Sequence, residues 1–374
     1  MDADPRTSHK ISDADMTAAM KPVDVLMNQA VADRVFPGGV LHVSKKLSVR
    51  MFKSYGLADM SIGQKMTRST VFDLASLTKP LATTPAVMNL IQAGKLELDD
   101  TLGRILPPFG KTDKALITIR QLLAHDSGLP DYRPYFETLR TVSPEKRQEK
   151  LRRFLLQEPL LHPPGQQTLY SDLGFMILQW VVESVARQRL DRFVTEKIFT
   201  PLGLKNIYFI DLAADRGKTE YAATESCPWR GMLLKGAVHD DNAFVMGGIA
   251  GHAGLFGTAR DVYGLLATFQ SVYQGRQKTP IFRPAMVRTF LNRPPGAERA
   301  LGFDAPAATG ASCGRFFSKK SVGHLGFTGT SFWMDLERSV IIILLTNRVH
   351  PSRDNIRIRE FRPVLHDTVM KCIG

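Results

Sequence analysis

Val71-Phe72-Asp73-Leu74-Ala75-Ser76-Leu77-Thr78-Lys79 is an apolar approach ending in a serine and, three residues on, a lysine. From Leu77 to Ala93 the chain is apolar nearly all round and is closed by Gly94, which predicts a buried helix with its stop signal. Residues three apart share one helix face, so the spacing suits a serine activated by a neighbouring amine. Ser76 at that helix start would lie in the positive end of the dipole, where an oxyanion is stabilised. Burial would press Lys79 toward its neutral form, able to take the Ser76 proton. The plain alternative is a capping serine with a lysine that snorkels to solvent. Taken alone the spacing is weak, because a chain of this length yields about one Ser-x-x-Lys by chance. A second instance, Ser143-Pro144-Glu145-Lys146, has serine, proline and acid in the order of an ordinary helix start and is set aside.

The surrounding chain has 374 residues, 44% hydrophobic and 23% charged, which excludes a disordered chain and a disulfide-stapled miniprotein. Cys227, Cys313 and Cys372 lie far apart, so a zinc finger, a redox pair and a disulfide framework are poorly supported, and isolated thiols suit a reducing compartment. Met1 to Met20 is polar, without an apolar run of signal-peptide length, and no stretch approaches the roughly 20 residues of a membrane helix. These features predict a cytoplasmic protein with no membrane span. The net charge of +13 is scattered over Lys45-Lys46, Arg152-Arg153, Lys319-Lys320 and Arg357 to Arg362, with no aromatic interleaving. That argues against nucleic acid and for general surface charge, leaving attraction to an anionic partner open.

Pro37-Gly38-Gly39 introduces a strand, Val40 to Ser44, and a second alternation from Val49 to Tyr55 makes a hairpin. Helical patterns follow at Pro144 to Leu156, Leu173 to Ala186 and Ala259 to Tyr273. Strands return at Ser331 to Leu336 and Ser339 to Thr346, and a last helix is predicted after Asn355. The expectation is an α+β fold with one antiparallel sheet from both chain ends, flanked by helices. Its parts are a leader over 1–20, a sheet subdomain over 21–80 and 255–374, and a mostly helical subdomain over 81–254, with the site in the cleft between them.

Three motifs stand in order: Ser76-Leu77-Thr78-Lys79, Tyr170-Ser171-Asp172 and His324-Leu325-Gly326. With the flanking His125-Asp126-Ser127-Gly128-Leu129-Pro130 and Pro164-Gly165, they resemble the motifs of the serine β-lactamase and penicillin-binding-protein superfamily. The branch most alike is that of class C β-lactamase-like hydrolases, which includes esterases and D-amino-acid peptidases. The resemblance implies a β-lactamase-like fold and an acyl-enzyme mechanism with no cofactor. In it Ser76 attacks, Lys79 and Tyr170 move protons, and the backbone N–H groups of Ser76 and Phe327 hold the oxyanion. Such donors are worth roughly 3–4 kcal/mol each. Gly326 would let its strand approach the acyl group closely.

Three positions depart from the family pattern. Asp172 replaces the common asparagine, and serves equally as substrate contact or as N-cap of the following helix. His324-Leu325 replaces lysine and a hydroxyl residue, so a positive charge there depends on protonation. These changes put β-lactam hydrolysis in doubt and point to a neutral ester or a peptide-like acyl substrate. The alternatives are a β-lactamase proper and a non-catalytic ligand-binding or cell-wall-sensing protein.

His239 and His252 sit in polar and glycine-rich segments, Val238 to Asn242 and Gly251 to Gly254. They have no metalloprotease-type spacing, so no metal is expected, and both are read as cleft-lining substrate contacts, with structural capping by Asp240 and Asn242 as the alternative. His125 and Ser127 are read as loop braces. No GxSxG elbow, Walker loop or dinucleotide fingerprint is present. The default oligomeric state is a monomer.

Overall fold

The computed structural model describes residues 18–214 and 219–374. The leader's first seventeen residues therefore lie outside it. Six strands form the main antiparallel sheet: β1 (Gly38–Lys45), β2 (Ser48–Asp59), β3 (Gln64–Lys65), β9 (Ser321–Leu325), β10 (Ser331–Asp335) and β11 (Val340–Thr346), in the order β3-β2-β1-β11-β10-β9. The sheet is thus built from both chain ends. At its centre Val40 opposes Leu345 and Gly39 opposes Tyr55.

β11 reads Val-Ile-Ile-Ile-Leu-Leu-Thr and is buried throughout, as a strand covered on both faces must be. Its alternate residues serve two cores. Ile341, Ile343 and Leu345 join Val40 and Phe332 in the larger core, against the helix Ala259–Tyr273. Ile342 and Leu344 face the other way with Leu41, Val43 and Trp333, a core closed by the terminal helices Lys21–Ala32 and Ile358–Ile373.

Between the sheet's halves the chain is mostly helical, with two small sheets: β4 (Phe72–Asp73), β8 (Leu255–Gly257) and β5 (Ile207–Phe209) in that order, and the hairpin β6 (Ala223–Cys227) with β7 (Met232–Lys235). These short pieces, and β9, lack an alternation that the sequence displays. The helices Pro144–Gln157 and Asp172–Ala186 lie where periodicity places them. The helix expected from Leu77 is divided into a 3-10 turn (Ala75–Leu77), a π turn (Lys79–Thr83) and an α-helix (Thr84–Gln92). Pro80 and Pro85 supply no backbone N–H, and Thr83 turns its hydroxyl to the Gly251 carbonyl at 2.6 Å. Among the described residues no helix is long and apolar enough to cross a membrane.

Candidate active site

Ser76 follows a strained turn. Ala75 has φ +49°, a left-handed conformation uncommon for a residue with a side chain. Asp73 secures the turn, accepting from Ala75 N–H at 2.9 Å and from His239 N–H at 2.6 Å. The carboxyl of Asp73 is fully buried, and desolvation raises its pKa above the ordinary value. Leu77 and Leu81 are fully buried beside the turn, each worth about 1.5–3 kcal/mol, so the turn is pinned by packing as well.

Lys79 has no exposed surface. Its Nζ lies 3.2 Å from Ser76 Oγ, 3.0 Å from the His252 carbonyl and 2.7 Å from Asp172 Oδ1. Here the structure corrects the sequence expectation. Burial does press Lys79 toward the neutral amine, but Asp172 and Tyr170 outweigh it, and the pKa is raised. The resting lysine is an ammonium. The carbonyl of His252 reaches it because Gly251 lies on the Phe175 carbonyl, where a Cβ would come within 2.2 Å.

Tyr170 is partly buried between rings: His125 stacks on it with centroids 4.6 Å apart, and His324 lies tilted at 5.8 Å. Lys79 and Arg299 approach the ring at 4.8 and 5.2 Å, and the hydroxyl is in hydrogen-bonding contact with Lys79 and Ser76. Desolvation raises its pKa despite Lys79, so Tyr170 is a neutral phenol. The next residue holds the segment. Ser171 caps the helix Asp172–Ala186, accepting from Gly174 N–H at 3.2 Å, and donates to the Pro130 carbonyl at 2.6 Å. Asp172 is therefore not the N-cap. It occupies the first helical position with its carboxylate on Lys79.

His324 is buried and its pKa is pushed down to about 4, first by desolvation and then by Lys79 and Arg299. It is neutral at pH 7. Its Nδ1–H donates to the Leu325 carbonyl at 2.9 Å, which leaves Nε2 as a bare acceptor. Gly326 needs its missing side chain: a Cβ there would lie 2.0 Å from Thr330 Oγ1 and 2.7 Å from the Leu74 carbonyl. Its close approach is thus to the strand that delivers Ser76.

The cleft of about 390 Å³ at Ser76 is lined by Tyr170, Asp304, His324 to Phe327, and a set not singled out in the sequence: Arg348, Ile356, Ile358, Arg359 and Arg362. Arg348 Nε donates to the Phe327 carbonyl at 2.8 Å with its guanidinium 4.6 Å from that ring. Arg362 donates to the Thr330 carbonyl at 2.8 Å, while its buried Nε has no partner among the described residues. Desolvation and mutual repulsion bring Arg348 down to about 10 and Arg362 to about 9, so both remain charged at pH 7. One signal was available: Arg362 occupies the buried face set by Ile358, Phe361 and Leu365 on the last helix.

His239 and His252 stand behind the cleft wall. His239 contacts Glu225 at 3.1 Å and stacks on Phe327 at 5.5 Å, and His252 contacts Asp240 at 3.0 Å. Asp240 caps the turn Asp241–Val245, and Asn242 accepts from Phe136 N–H. Trp229 and Arg230 pack on Asp241. Among the described residues no cluster of three His, Cys, Asp or Glu is arranged to hold a metal.

The chain resembles known proteins over nearly its whole length. A protein of Escherichia coli (strain K12), provisionally named a D-alanyl-D-alanine carboxypeptidase, is 31% identical over 361 residues, covering 88% of this chain and 82% of that one. The structure of EstCE1, described as a hydrolase with promiscuous acyltransferase activity, matches with a TM-score of 0.72 at 25% identity, covering 94% of this chain and 100% of that one. The octameric penicillin-binding protein homologue from Pyrococcus abyssi shares the fold, with a TM-score of 0.70 at 20% identity over 92% and 77% of the two chains. The Beta-lactamase family model matches residues 23–364, and the chain belongs to that family.

Proposed function

We propose that this serine hydrolase uses Ser76 as its nucleophile and cleaves a peptide-like amide or ester whose leaving group carries a free carboxylate. The family and its relatives support acyl-enzyme chemistry. The observation that carries the substrate is the group Arg348, Arg359 and Arg362 on the cleft, none with an ion-pair partner among the described residues. Desolvated positive charge beside a nucleophile favours a substrate anion. Neutral His324 and Leu325 do not supply that charge, so the arginines take the place of the family's lysine, and of the two expected substrates, a neutral ester and a peptide-like acyl group, they favour the peptide-like one. The name of the Escherichia coli relative agrees with this reading.

In the reaction, Lys79 and Tyr170 together move the proton between Ser76, the leaving group and the incoming water, and the N–H groups of Ser76 and Phe327 hold the oxyanion. The test is fluorophosphonate labelling with peptide mapping, then turnover of an acyl-D-alanyl-D-alanine peptide against its C-terminal amide. Labelling at Ser76, lost in Ser76→Ala, and preference for the free acid are expected. Equal labelling of Ser76→Ala would sink the nucleophile, and equal turnover of the amide would sink the carboxylate site.

A further inference from the structure

A charged lysine cannot accept a proton, and every side of Lys79 Nζ is already engaged. Nζ lies 3.2 Å from Ser76 Oγ, 3.0 Å from the His252 carbonyl and 2.7 Å from Asp172 Oδ1, with the Tyr170 hydroxyl in contact as well. Of these, only a carboxylate can accept a proton and keep it. Asp172 is also held in place: its backbone N–H donates to the Asp131 carbonyl at 2.8 Å, beside the cap made by Ser171.

We propose that Asp172 is the proton store of the Ser76 reaction, receiving a proton from Lys79 as Lys79 takes one from Ser76. This rests on Ser76 being the nucleophile. In acylation the Ser76 O–H bond breaks, Oγ bonds the acyl carbon, and the carbonyl π pair moves to oxygen. The Ser76 proton lands on Lys79, whose own proton crosses to Asp172. On collapse the bond to the leaving group breaks. Lys79 protonates that group through the Tyr170 hydroxyl, and Asp172 returns its proton to Lys79. The net change is one serine ester formed and one leaving group protonated. Deacylation runs the same transfers with water in place of the leaving group. Asp172 acts through Lys79 and is a positioning residue.

Other charged and titratable groups surround the pair. Asp240, with His252 on its carboxylate, faces Lys79 from the loop opposite. His125, His324 and Arg299 face it across Tyr170. The charges of Asp240, Asp241 and Asp172 all bear on Tyr132. Neither His125 nor His324 gains a proton until pH is well below 6.5, so neither titrates near neutrality.

The experiment is the pH profile of kcat/KM for an activated ester, comparing wild type, Asp172→Asn and Asp172→Glu, with Tm as the folding control. The wild-type acid limb is the reference. In Asp172→Asn the base is Lys79 alone, which must first lose its proton. The limb should move up by about two pH units or more, with activity at pH 7 down about tenfold or more and recovering at alkaline pH. Asp172→Glu should restore the wild-type limb. An unmoved limb in a folded Asp172→Asn enzyme whose Ser76 is still labelled overturns the proton store alone. No labelling at Ser76 in wild type overturns both this inference and the nucleophile.

Discussion

Thr330 Oγ1 donates to the Leu74 carbonyl at 3.0 Å, joining residues 256 positions apart. Thr328 Oγ1 makes the parallel contact to Asp73 at 2.8 Å. The turn that presents Ser76 is therefore braced from the far end of the chain, and Gly326 lies in the same contact. Gly326→Ala is expected to force this brace apart, lowering stability by about 1–3 kcal/mol and acylation by about tenfold or more. Thermal unfolding and fluorophosphonate labelling rates measure both, and a variant with normal values would contradict the brace.

Arg359 is the exposed arginine of the cleft, whereas Arg348 and Arg362 are buried. Arg359→Ala should raise KM for a carboxylate-bearing peptide by about 10–100-fold and leave a neutral ester nearly unchanged, because the loss is one charge-assisted contact. Kinetics on the two substrates decide it. A parallel loss on both would assign Arg359 to the scaffold instead.

Ser171→Ala removes an N-cap and an anchor to the Pro130 carbonyl between Tyr170 and Asp172. Stability should fall by about 1–2 kcal/mol, and kcat should fall more than KM changes, since both neighbours serve the proton path. Urea unfolding with steady-state kinetics checks it; the prediction fails if KM rises while kcat holds.

His42, His324 and His366 are each pushed down to about 4, mainly by burial. In the unfolded chain they titrate near 6.5, so between these values the unfolded state binds more protons. Stability is fully present above pH 6.5 and falls as pH drops toward 4, each group contributing on the order of 3 kcal/mol. The urea midpoint at pH 7.5 should therefore exceed that at pH 4.5 by a wide margin. Equal midpoints would show that these histidines are protonated in the folded state.

The fold was legible where periodicity is strong. Ala259 to Tyr273 reads as a helix and is one, and the strands at Val40 and Ser339 announce the centre of the sheet. Two-residue β4 and three-residue β8 are too short to show any period. At the site, Ser76 and Lys79 were marked by spacing and Tyr170 and His324 by the resemblance of their motifs to the family's, and the structure brings them together. The charge state of Lys79 was not readable, because it depends on a carboxylate 93 positions away whose direction only the helix start at Ser171 fixes. The arginines of the cleft were hidden among a diffuse surplus of positive charge. Arg362, together with His366, interrupts an apolar helical face.

The central place of β11 sets an order in time. During synthesis β1 and β2 emerge early, but β1 has no second neighbour until residue 340 has left the ribosome, and the threonines that brace Ser76 are made only shortly before. The arginines of the cleft come later still. A chain stopped before β11 would carry the nucleophile without the sheet that frames it. The nucleophile is thus made long before the strand that completes its support.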